Sequence, residues 1–155
     1  MTSIPQCPTA NGVGFCLRHE IVSWIFQVAA ASILLQTLFF KFTGAPESKF
    51  IFTTLGIEPW GRIGTGMAEL IAAGLLLYRP WSAYGGLMAA GLMTGAIFSH
   101  LTRLGIEVQG DGGLLFGLAV TVLGSGLIVG WLRRRQLKVP GFIRQRLPGV
   151  FADAR

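Results

Sequence analysis

Four apolar runs set the terms for this chain: residues 21–40 (IVSWIFQVAAASILLQTLFF), 63–78 (IGTGMAELIAAGLLLY), 82–99 (SAYGGLMAAGLMTGAIFS) and 113–132 (GLLFGLAVTVLGSGLIVGWL). A twenty-residue helix rises roughly 30 Å, about the hydrocarbon thickness of a bilayer. Lipid offers no partners to backbone N–H and C=O groups, so a segment of this kind is expected to cross as a helix that satisfies them internally. Only Arg79-Pro80-Trp81 separates the second run from the third, which makes them an antiparallel hairpin. Charged residues are 13% of the chain, where a soluble domain carries about a quarter. The expected fold is therefore all-α: an integral membrane four-helix bundle.

The positions of the basic residues give the orientation. Of the thirteen Lys and Arg residues, Arg18, Arg79 and the seven in the tail fall on one side, nine in all, against Lys41, Lys49, Arg62 and Arg103 on the other. The positive-inside rule then puts both termini in the cytoplasm, in a multi-pass protein of the inner (cytoplasmic) membrane. Three segments follow: a cytoplasmic tail over 1–20 with no helical period, the membrane domain over 21–132, and a basic tail over 133–155. Arg133, Arg134, Arg135 and Lys138 open that tail and are expected to bind anionic membrane lipids. The net charge of +6 is not a nucleic-acid footprint, because the basic residues follow an apolar run and no fold motif accompanies them.

The first outer loop, about residues 41–62, holds KFIFTTLGIEPWGR, too short to span and too apolar for an ordinary loop. An interfacial or shallow re-entrant lid is expected there, with Pro59 ending any helical turn. Gly85/Ala89, Gly86/Ala90, Gly91/Gly95, Gly113/Gly117 and Gly126/Gly130 are spaced i, i+4. In lipid such small residues let helices approach closely, so they read as packing seams within the bundle or toward a partner protein.

Ionisable groups inside a membrane are costly and mark candidate sites. Glu69 lies seven residues past Arg62, roughly 10 Å below the outer end. Alternating helix direction brings Lys41, Glu69 and His100 to the same outer half, with Gln36 near the depth of Glu69. Phe39, Trp60 and Phe98 are candidate pocket-lining residues. Thr94 and Ser99 are expected to bond their own backbone, and the four tryptophans to form an interfacial belt. No metal site is expected, nor a Ser-His-acid set, nor a phosphate loop. Cys7 and Cys16 do not form the close pair that thiol-disulfide exchange needs.

With these residues in place, the chain resembles the DoxX family of small four-helix membrane proteins. The resemblance rests on FFKFTGAP at the end of the first run, TTLGIEPW, GMAELIAAGLLL and GAIFSHL, and covers about residues 21–132. Lys41, Glu69 and His100 match the family's recurring polar positions. The resemblance implies association with thiosulfate:quinone oxidoreduction or redox homeostasis. Two roles are expected from it: an accessory or structural subunit of a larger membrane complex, redox or energy-converting, or a quinone-binding subunit. No cofactor is evident in the sequence beyond a bound quinone in the second case, and the expected partners are membrane lipids and other membrane subunits.

Overall fold

The computed structural model describes residues 10–137, with the side chains of residues 10–17 and 135 left out of the description. Among the described residues the fold is all-helical: α1 (Ala10–Thr43), α2 (Pro46–Thr54), α3 (Trp60–Leu77), α4 (Ser82–Ser99) and α5 (Leu114–Leu132), with short 3-10 turns at Arg79–Trp81 and Arg134–Gln136. The four long helices form a closed ring in which α1 packs on α3, α3 on α4, α4 on α5, and α5 back on α1. Two of them, α1 over Arg18–Thr43 and α5 over Leu114–Leu132, are long and apolar enough to cross a membrane.

Three boundaries differ from expectation. The expected non-helical tail is a helix from Ala10 onward, continuous with the first apolar run. Pro5 and Pro8 lie before that point, and nothing from Ala10 to Glu20 breaks a helix except Gly12 and Gly14, which lower helix propensity without forbidding it. The outer loop contains a true helix, α2. The chain turns into it at Gly44, whose φ of +67° is the left-handed conformation that closes a helix. Pro46 then occupies the first turn of α2, where its missing N–H costs nothing. Pro59 does not end a turn; it caps the start of α3.

The helices meet through small side chains. Ala30, Ala31, Ala72, Ala73 and Ala89 are fully or almost fully buried, with Leu34, Leu76, Val122 and Val129 among them. Gly85 and Gly86 of α4 sit against α3 and α5 respectively. A Cβ on Gly86 would come 2.7 Å from the Gly126 carbonyl oxygen, and one on Gly126 would come 2.6 Å from that of Gly86. Beside Gly91, Gly95 and Gly117, by contrast, a Cβ would meet nothing within 4 Å. As seams within the bundle, Gly85, Gly86 and Gly126 therefore fit the reading and these three do not. Outward faces carry large apolar side chains, among them Ile25, Ile71, Leu87 and Leu127.

One end of the ring is tied by a polar network that the sequence reading overlooked. Arg133 is buried: its Nε donates to Ser23 Oγ at 2.8 Å, and its other nitrogen reaches Glu20 Oε2 at 3.1 Å. Glu20 also pairs with Arg79 at 3.0 Å, and the Gln27 amide donates to Ser23 Oγ at 2.6 Å. Arg133, expected among the lipid contacts, thus ties the end of α5 to α1. Arg134 lies over the Trp131 ring at 5.3 Å. Of the other two expected lipid contacts, the Arg135 side chain and Lys138 lie outside the described residues. Arg133→Ala is expected to leave Ser23 and Glu20 short of a charged donor and to cost about 1.5–3 kcal/mol. Thermal unfolding in detergent checks this.

Candidate functional site

At the other end of the ring α2 packs on α1, α3 and the turn that follows α4. Beneath it is a cavity of about 670 Å³, walled by α1, α3, α4 and α5. Its walls are mainly apolar, with Phe40, Phe52 and Leu115 among them. Phe52 and Ser48 are the buried residues of α2, and both face this space.

Lys41, Glu69, His100 and Gln36 all line the cavity. Lys41 Nζ forms an ion pair with Glu69 Oε1, and the side chains are 16% and 4% exposed, so the carboxylate is the more deeply committed partner. Glu69 Oε2 accepts from Thr37 Oγ1 at 3.2 Å. Thr37, one turn before Lys41 on the same face of α1, supplies this second contact and was not among the residues singled out from the sequence. The position of Lys41 is braced in turn: Arg62 donates to the Lys41 backbone oxygen and, through Nε, to Glu58 at 2.8 Å.

His100 is buried at the start of a wide turn, His100–Leu104, in which the α4 ladder opens to a π-type spacing before Gly105. Its Nδ1 donates to the Gly105 oxygen at 2.9 Å, and its ring meets Phe116 edge-on. His100 therefore shares the cavity with Lys41 and Glu69 while being anchored to loop backbone. Thr94 and Ser99 donate to the carbonyls of Ala90 and Gly95, as their type predicts.

The three aromatic candidates lie elsewhere. Phe39, Trp60 and Phe98 point outward at 65%, 80% and 66% exposure and do not line the cavity. Phe39 and Phe40 are adjacent on α1, so about 100° of helical rotation separates them, and it is Phe40 that borders the cavity, with 46% of its surface still exposed.

The wall next to α5 is set by Asp111. Its Oδ1 accepts from the amides of Val108 (2.8 Å) and Gly113 (3.0 Å), and its Oδ2 from Leu115 (2.9 Å) at the start of α5. The Leu115 amide is the main cause that holds this carboxyl below its ordinary value of 3.8. The Val108 and Gly113 amides and the nearby His100 act the same way, against the opposing effect of burial. A carboxyl lowered by folding stabilises at every pH above its unfolded value and loses that contribution as pH falls through its folded value. Asp111→Asn is therefore expected to be less stable than the parent at pH 5–7, with the gap closing as pH drops below 3.8. Parallel melts across pH measure it.

Among the described residues no group of three His, Cys, Asp or Glu side chains is placed to hold a metal ion. The arrangement is suited to holding a small amphipathic molecule: an apolar chamber of pocket size, a few polar groups at one end, and a helix across the mouth. The chain matches no protein-family model, no curated protein and no solved structure.

Proposed function

We propose that this chain is a four-span protein of the inner membrane, N-in and C-in, of the DoxX type, and that its outer-half cavity binds a quinone-class molecule as part of a larger redox or energy-converting complex. The observation that carries the reading is the lidded cavity, where a buried ion pair and a histidine sit at one end of an otherwise apolar chamber. Support for the membrane comes from the inverted surface: alanine, glycine and paired polar groups lie inside, while leucine, isoleucine and phenylalanine face out. The cluster of Arg79, Arg133 and Arg134 at the end opposite the cavity agrees with a cytoplasmic placement of that end.

In this reading Lys41 or His100 hydrogen-bonds the headgroup, Glu69 neutralises Lys41, and α2 excludes water. An accessory role in a larger complex is favoured by Gly74 and Gly117, exposed on outward faces with open space beside them, where a partner helix can approach closely.

Gly95→Leu separates the two. The new side chain enters open space, so the bundle is expected to fold, while the cavity is filled. Mass spectrometry of solvent extracts from protein purified in mild detergent should find a quinone-class compound at near one per chain in the parent and little in Gly95→Leu. Identical extracts, together with a stoichiometric protein complex in both, would leave the accessory role and remove the quinone role.

A further inference from the structure

The polar atoms around the cavity are not neutral as to what they can bond. Thr37, Thr65 and Ser99 each own one hydroxyl proton. Thr65 donates it to the Gly61 carbonyl and Ser99 to that of Gly95, while Thr37 shares its proton between Leu34 and Glu69. What these side chains offer a ligand is lone pairs. His100 is in the same position: Nδ1 donates to a carbonyl, so in the neutral ring Nε2 is an acceptor. Lys41 is held by Glu69, and Gln36 stands at the exposed rim. Ser48 is different. It is 7% exposed, it lines the cavity from the lid, and its hydroxyl has no partner among the described residues.

A headgroup that satisfies this lining has to donate a hydrogen bond to an acceptor such as His100 Nε2 and accept one from a donor such as Ser48. A hydroxyl does both. A carbonyl only accepts, and offers nothing to the lone pair of His100 Nε2. A carboxylate is disfavoured twice: it donates nothing, and it would join Glu47, Glu69 and Asp111 beside a single ammonium, Lys41. We infer that the cavity is selective for a neutral, hydroxyl-headed amphiphile, a phenol or alcohol with an apolar tail, so that of any quinone couple it holds the reduced, hydroxyl-bearing member. This rests on the cavity being a ligand site, as proposed above.

The test compares 4-decylphenol with its methyl ether, 4-decylanisole, which has the same tail and ring and no proton to donate. Binding to the full chain in lipid nanodiscs is read by ligand-observed NMR, with empty nanodiscs subtracted. The phenol is expected to bind about tenfold more tightly than the ether, the effect of one good hydrogen bond. His100→Phe should reduce that ratio to near one; Ser48→Ala, the variant less able to disturb folding, should weaken both ligands and leave the ratio in place, because the ether oxygen accepts from Ser48 as the phenol oxygen does. Gly95→Leu should abolish binding of both ligands. Equal binding of phenol and ether, lost in Gly95→Leu, would overturn the hydroxyl selectivity and leave the ligand site standing. Absence of binding by either ligand would overturn both.

Discussion

Lys41→Met is expected to be the most damaging single substitution in the cavity half of the bundle, costing about 3–5 kcal/mol. The reason is the asymmetry of the ion pair. The Glu69 side chain is 4% exposed and Lys41 is its one cationic partner among the described residues, so removing the ammonium leaves a buried carboxylate with the Thr37 hydroxyl. Glu69→Gln is expected to be milder, because Lys41 sits at the end of α1 and can extend its ammonium toward water or headgroups. Removing both charges in Lys41→Met/Glu69→Met should recover most of the loss, since well-packed apolar residues replace a buried pair at little cost. Unfolding by denaturant in mixed micelles gives the four values. A Lys41→Met protein within about 1 kcal/mol of the parent would mean that the pair contributes nothing to the bundle.

The second large effect is expected at the crossing of α4 and α5. Gly86 and Gly126 face each other so closely that a methyl group on either would press on the other's carbonyl oxygen, which is backbone and cannot rotate away. Gly126→Ala should therefore push the helices apart and cost about 1–3 kcal/mol, the range for overpacking. Gly91→Ala is the matched control. It lies on the same helix as Gly86 with open space beside it, and should stabilise by about 0.5–1 kcal/mol through helix propensity. Equal responses at the two positions would show that α4 and α5 do not make this contact in solution.

Much of this architecture is legible in the sequence because its signals are long. The third and fourth apolar runs became α4 and α5 to within a residue, since a continuous apolar stretch bounded by Pro80 and by Gly112-Gly113 leaves few choices. The meeting of Lys41 with Glu69 followed from counting turns along alternating helices. What the sequence withheld depends on rotation about helix axes. Phe39 and Phe40 are equally good pocket residues on paper, and a single residue of rotation decides between them. Glycine spacing likewise does not say which of two glycines faces a neighbouring helix and which faces a cavity, as Gly86 and Gly95 show. The inner network was within reach: Ser23 and Gln27 are a polar i, i+4 pair inside an apolar run, the same kind of anomaly that singled out Glu69. Arg133 was hidden by its company, a run of three arginines that reads as a surface tail.

Sidedness is directly measurable, because the proposed function puts the lid and the arginine cluster on opposite faces of a membrane. Cys7 and Cys16 are the chain's two cysteines and report the N-terminal side. Thr54→Cys, placed at the exposed end of α2 in a Cys7→Ser/Cys16→Ser background, reports the lid. A membrane-impermeant maleimide applied to sealed cells should label Thr54→Cys at once and leave the native cysteines untouched until the membrane is opened. Labelling of Cys7 and Cys16 in sealed cells, or protection of Thr54→Cys until lysis, would contradict the proposed orientation and the outward-facing cavity that depends on it.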